Sequence, residues 1–303
     1  MNSVVLNESL SQASLLVIFA SMLVFTAAFL VSGWHLSKAA SKKVKEVKAS
    51  SALERVGLSL AVIATLVLAA GVIMRGIAAA RVPWSNLYEY SITGALILMM
   101  IFLISIRVPE VRILATFVVG FVLLVLGTAV SLFYVEVQSL MPALQSFWLV
   151  IHVLVALTAT AFFSIAAALS TAYLLKTANW VEKAKTKGVA NFKRVMGIFP
   201  KKETLEQLAY RFNIVGFILW SFTLIAGAIW AERAWHRYWG WDTKEVWTFI
   251  IWTIYAGYLH ANATRGWTGK RAVWLGLVGF AAVVFNFTIV NMFFKGLHVY
   301  SGL

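Results

Sequence analysis

Five histidines and one tryptophan-dense stretch hold most of the side chains in this 303-residue chain that could ligate or cradle a ligand. The histidines are His35, His152, His236, His260 and His298. There is no cysteine, which removes disulfides, thiolate metal sites, iron–sulfur ligation and cysteine nucleophiles together. Metal chemistry must therefore use His, Asp, Glu or Met. Nine of the 13 tryptophans fall between Trp220 and Trp274, and the densest run is WAERAWHRYWGWDTKEVW, residues 230–247. Single interfacial tryptophans are ordinary membrane anchors. Trp235, Tyr238, Trp239 and Trp241 in one short connection beside Gly240 are more than a belt needs, and they make an aromatic shelf suited to a flat apolar ligand. Asp242 and Glu245 read as a capping box, Asp242 as N-cap and Glu245 three residues on, opening the next helix.

The elements that position these residues follow from composition. Hydrophobic residues make up 61% of the chain and charged residues 13%, with a mean hydropathy of +0.84. A soluble domain carries roughly a quarter charged residues, so this is a membrane protein. A span needs about 20 mostly apolar residues, and eight segments qualify or nearly do, near 14–34, 57–75, 90–106, 113–134, 148–175, 212–231, 246–263 and 272–294. The first is read as a retained helix, since residues 1–13 hold no Lys or Arg. Segments three and four form a tight hairpin around Arg107, Pro109 and Arg112. The seventh, which is short and contains His260, is the weakest of the eight. The expected fold is an all-α polytopic transmembrane helical bundle of about eight spans. Its Trp-rich loop joins spans six and seven, with N-terminal spans over 1–80 and the main domain over 81–303.

Charge sets the orientation. Of the 26 Lys and Arg, 20 lie in the loops 35–56, 107–112, 176–211 and 264–271. The positive-inside rule makes those loops inner and puts both termini and the Trp loop outside. The net charge of +14 is thus a topogenic bias with attraction to membrane lipid, and nucleic-acid binding is excluded as a function. The basic loop 176–211 reads either as a membrane-surface linker or as a docking surface for an acidic partner.

His152 falls at the outer end of span five and His298 just past the outer end of span eight. His260 lies 15 residues beyond Glu245, roughly 22 Å deeper at about 1.5 Å per residue. His35 is interfacial on the inner side, and His236 lies inside the aromatic loop. Two outer imidazoles on either side of an aromatic shelf suit an iron porphyrin. A bare metal ion would need no shelf and would recruit carboxylates.

WGWDTKEVW resembles the "WWD" signature of the haem-handling proteins of cytochrome c maturation. The run from Trp230 through YLHANATRGWTG to FNFTIVNMFFKGLHVYS is similar to the CcsA/ResC branch, supported by RVPWSNLYEY (residues 81–90) and FWLVIH (residues 147–152). The likeness spans roughly residues 80–300. It implies that His152 and His298 ligate haem iron at an outer site where attachment occurs. It also implies that Trp235, Tyr238, Trp239, Trp241 and Asp242 contact the haem, and that His260 serves an inner haem site whose second ligand comes from a ResB-type (Ccs1) membrane partner. Two departures stand out: Thr243 replaces the usual proline of WDPKE, and His236 stands where a glycine commonly precedes Arg-Tyr-Trp.

The implied function is movement of haem b across a cell membrane, or alternatively a thylakoid membrane, and its presentation for thioether attachment to CxxCH of apocytochrome c. The chain would be one component of a haem lyase, with the reacting thiols on the substrate. The alternatives are a haem exporter or chaperone without ligase activity, and a redox or quinone subunit whose loop caps a lipid-soluble ligand.

Overall fold

The computed structural model describes residues 6–41, 52–139, 144–178, 187–294 and 296–297. These residues form helices α1 (Glu8–Ser41), α2 (Ala52–Ala79), α3 (Leu87–Ser105), α4 (Pro109–Arg112), α5 (Ala115–Leu132), α6 (Phe147–Lys176), α7 (Lys187–Ile198), α8 (Lys202–Trp235), α9 (Thr243–Arg265), α10 (Lys270–Phe287) and α11 (Ile289–Phe293). Among the described residues there is no strand, as expected for a chain that must satisfy its backbone inside a membrane by helices.

Seven helical stretches are long and apolar enough to span: α1, α2, α3, α5, α6, α8 and the continuous α10–α11. The eighth expected segment, 246–263, is also helical. At 23 residues, α9 is about 34 Å long at 1.5 Å per residue, enough to cross. It misses the hydropathy of the others because Trp, Tyr, Thr, His and Asn take places that the other spans give to Leu, Val and Ile. The hairpin between α3 and α5 is present, with Pro109 in the first turn of α4 and the Arg112 Nε donating to the Ile106 carbonyl at 2.7 Å.

The helices pack as antiparallel neighbours. On α1 and α2, the Asn7 N–H meets the Ala78 carbonyl at 3.1 Å and the Ser14 hydroxyl meets the Gly71 carbonyl at 2.8 Å. The pair shares one buried core with α3, α5 and α6. α6 and α8 make the second long seam, and α10 packs against both α6 and α9. Part of the basic loop 176–211 is the amphipathic helix α7. It sets Met196 and the following Phe199 into the core and leaves Lys193 and Arg194 exposed. The Lys176 ammonium fastens its end, donating to the Met196 and Phe199 carbonyls at 2.9 and 2.7 Å.

The RVPWSNLYEY motif folds around a buried carboxylate. Glu89, in the first turn of α3, accepts from the Arg75 Nε at 3.0 Å, from Arg81, and from the Ser85 backbone and hydroxyl at 3.1 Å each. Arg75 also reaches the Ser11 hydroxyl and the Val135 carbonyl, each at 2.9 Å. One carboxylate therefore ties α1, α2, α3 and the segment after α5 together. Glu89→Gln leaves two guanidinium groups short of their counter-charge. Breaking a buried pair costs about 3–5 kcal/mol, so thermal unfolding in detergent should show a loss of that order, and an unchanged melting temperature would refute the hub.

Candidate functional site

At the end of the bundle that carries the Trp loop, a cavity of about 400 Å³ opens between α3, α5, α6, α8, α9 and α10. That lies in the usual range of ligand pockets, roughly 300–1,000 Å³. Its walls are mainly apolar and aromatic, and the titratable side chains that line it are Tyr90, His152, Tyr238, Lys244 and Glu245.

His152 enters from α6, with its Nδ1 3.0 Å from the Thr223 carbonyl on α8. A carbonyl only accepts, so Nδ1 carries a proton, and in the neutral ring the lone pair is on Nε2. A backbone partner on the second nitrogen is the usual way an imidazole is fixed in tautomer and orientation for a metal. The ring lies nearly parallel to Trp230, with centroids 5.9 Å apart and planes at 21°. Gly227 makes this placement feasible, because a Cβ there would stand 2.8 Å from the imidazole Cε1 and 2.9 Å from Nδ1.

The loop itself is bracketed by two non-glycine residues in the left-handed region, His236 at φ 56° and Trp241 at φ 59°. His236 closes α8, its N–H donating to the Glu232 carbonyl at 2.8 Å. Helix ends of this kind favour glycine, so His236 holds a conformation that a glycine would adopt at less cost. The His236 side chain is exposed and is not part of the cavity wall.

The four aromatic residues of the expected shelf divide. Tyr238 and Trp239 line the cavity. Trp235 packs behind it, edge-on to Trp230 at 4.8 Å. Trp241 points out, 76% exposed, with its ring 5.9 Å from that of Trp239.

The capping box read from the sequence is present. Asp242 Oδ1 accepts from the Lys244 N–H at 2.9 Å, while Glu245 Oε2 accepts from the Gly240 and Asp242 N–H groups at 2.7 and 3.1 Å. Asp242 does one thing more. Its Oδ2 accepts from the Leu297 N–H at 2.8 Å, fastening the C-terminal segment to the loop. Leu297 immediately precedes His298 in the sequence, and His298 itself lies outside the described residues.

Lys244 sits in the first turn of α9, ahead of the apolar stretch 246–263. Its Nζ donates to the Asn286 carbonyl at 2.8 Å, close to where α10 ends. The side chain is half-buried where it joins the cavity wall. Two buried acceptors in the same wall, Glu245 Oε1 and Asn286 Oδ1, have no hydrogen-bond donor. Together with the basic Nε2 of His152 and the aromatic walls, these groups suit a flat apolar ligand that has a metal centre and a polar edge.

His260 does not join this group. It stands on an exposed stripe of α9 with Phe249, Thr253, Gly257 and Thr264, roughly 22 Å along the helix from Glu245. A second cavity of about 220 Å³ shares Leu98, Phe121, Ser164 and Phe280 with the first and extends toward Phe117 and Thr171, at the other ends of α5 and α6. His260 does not line it.

Several cavity residues were not singled out from the sequence. Tyr90 came only inside RVPWSNLYEY and Trp230 only inside the tryptophan cluster. Asn286 came only inside FNFTIVNMFFKGLHVYS, and Gly227 carries no local signal at all.

Comparison with known proteins agrees with this arrangement. Residues 84–298 match the family described as "Cytochrome C assembly protein". The chain is 32% identical over 290 residues to the cytochrome c biogenesis protein CcsA of Synechococcus elongatus, covering 82% of this chain and 88% of that protein. It is 39% identical to a CcsA protein of Prochlorococcus marinus, over 180 residues, and to that of Guillardia theta, over 177. Those two alignments take in 54% and 55% of this chain and only 57% and 58% of the relatives' own length, so against these relatives the chain spans little more than half. The match covers the Trp loop, His152, His260 and the whole of the cavity's α6, α8 and α9 walls, and on this ground the chain belongs to the cytochrome c assembly protein family.

Proposed function

We propose that this multi-pass membrane protein acts in cytochrome c biogenesis by holding haem b at the Trp loop for thioether attachment to CxxCH of apocytochrome c. His152 and His298 would be the axial ligands. The observation that carries this reading is His152 itself: its Nδ1–H is committed to the Thr223 carbonyl, which leaves Nε2 as the basic nitrogen at the wall of an aromatic cavity.

Attachment needs little chemistry from the protein. Each substrate thiol adds its S–H across a haem vinyl group, sulfur to one carbon and hydrogen to the other, with no net oxidation. What the protein supplies is orientation, which turns a bimolecular encounter into a positioned one, and axial ligation of the iron. The chain's lack of cysteine suits a scheme in which both reacting thiols are the substrate's. The 20-of-26 bias of Lys and Arg toward the opposite loops supports an outer location for the cavity and for both termini.

Delivery of haem from the inner side is the second part of the proposal. The second cavity, continuous in its walls with the first, supports passage through the bundle. His260 faces outward from α9, so a second iron ligand there would come from another chain, in keeping with a ResB-type partner. This same transport without attachment is the exporter or chaperone reading.

The test is the absorption spectrum of the purified protein with haem. His152→Ala is expected to weaken binding at least tenfold and to shift the main absorption band. An unchanged spectrum and affinity would remove His152 from the ligand set.

A further inference from the structure

We propose that Lys244 is the counter-ion for a carboxylate of the ligand in the cavity, so that recognition of the ligand's acidic edge falls to α9 while its metal is held from α6. The inference rests on reading the cavity as a haem site. It goes beyond that reading by assigning the partner of the propionate groups, which project together from one edge of the ring.

Three observations carry it. First, the ammonium is half-buried in the cavity wall and underused. Its one hydrogen bond is to the Asn286 carbonyl at 2.8 Å, which leaves two of its three N–H donors without a partner among the described residues. No carboxylate of the described residues forms an ion pair with it. Partly desolvating a cation without a hydrogen-bonded anion is costly, and an arriving carboxylate offsets that cost.

Second, the neighbouring carboxylates hold backbone N–H groups through Asp242 Oδ1 and Oδ2 and Glu245 Oε2, and no ion pair among the described residues joins either of them to the ammonium. Asp242 spends Oδ1 on the Lys244 backbone and Oδ2 on Leu297. Glu245 spends Oε2 on Gly240 and Asp242.

Third, the corner around Lys244 is polar in a cavity that is otherwise apolar. Glu245 Oε1 and Asn286 Oδ1 are buried there without donors, so this wall calls for polar, donor-bearing company such as water at the ligand's edge and not for hydrocarbon, while the donors a carboxylate needs are those of Lys244. His152 and Lys244 come from different helices lining the one cavity. A disc with its metal at the centre and its acids on one rim requires that separation of roles.

Lys244 also braces the end of α10 through Asn286, so its loss could weaken any ligand by loosening the wall. The experiment separates the two effects by comparing haemin with its dimethyl ester, which has the same ring and iron and no acidic edge. Binding to the purified full-length chain in detergent is followed by quenching of tryptophan fluorescence.

The native chain is expected to bind the diacid about tenfold or more tighter than the diester, the scale of one charge-assisted hydrogen bond. Lys244→Met should remove that preference by weakening the diacid alone, and Lys244→Arg should retain it. Equal binding of the two ligands by the native chain would overturn the proposal, as would a Lys244→Met variant that weakens both equally. If neither ligand binds the native chain, the haem reading of the cavity falls, and the counter-ion with it.

Discussion

If His152 ligates haem iron as proposed, replacing Gly227 with alanine is expected to disrupt that ligation without touching the imidazole chemically. The added Cβ would stand 2.8 Å from the ring Cε1 and 2.9 Å from Nδ1, closer than carbon and nitrogen can approach. The Thr223 carbonyl that fixes the ring lies one helical turn before Gly227 on the same helix. The ring must shift to clear the new methyl group, which strains that hydrogen bond and moves Nε2. The fold should persist, since alanine in a helix interior is favoured over glycine by about 1 kcal/mol. The variant should therefore be well folded, with the haem spectrum and at least tenfold weakened affinity of His152→Ala. A Gly227→Ala protein with native haem absorption would show that this ring position has no part in ligation.

Asp242→Ala should have the second large effect, at the other side of the cavity. Loss of the N-cap costs the start of α9 about 0.5–2 kcal/mol. Loss of Oδ2 also frees the Leu297 N–H, and with it the tether on the segment that continues into His298. If His298 is the second axial ligand, Asp242→Ala should give the spectrum of iron with a single protein ligand, matching His298→Ala. Faster hydrogen exchange at the Leu297 amide should accompany it. Asp242→Asn, which keeps one acceptor oxygen, should fall between the two. Native exchange and a native spectrum in Asp242→Ala would reduce Asp242 to a helix cap.

The spans were readable because each needs only a window of apolar residues, and the structure keeps those windows as helices. The capping box at Asp242 and Glu245 was readable for the same reason, being local. α9 was the weakest of the expected spans, and its composition explains why: the residues that make it poor in hydropathy are the aromatic and polar ones of this segment, several of which line the cavity or its supporting core.

What could not be read were the pairings between distant segments. RVPWSNLYEY stood out as a motif, yet Glu89 owes its role to Arg75 on α2, which is itself held by Ser11 on α1 and by the backbone after α5. Gly227 is one glycine among 19, and only the imidazole packed against it gives it meaning. The aromatic shelf was expected as one surface, and it separates into two cavity residues, one supporting ring and one exposed ring. Its division follows from the left-handed turns at His236 and Trp241, which sequence alone does not announce at non-glycine positions.

The central claim is that the cavity presents haem for covalent attachment, and reconstitution tests it most directly. The purified protein, with its membrane partner, would be supplied with haem and a peptide bearing CxxCH, and the products weighed by mass spectrometry. The expected product is a covalent adduct whose mass is the sum of peptide and haem, formed by the native chain and greatly reduced in His152→Ala and Gly227→Ala. Haem transferred to the peptide without any covalent adduct would contradict the claim in favour of a carrier, and adduct formation undiminished in both variants would contradict the site.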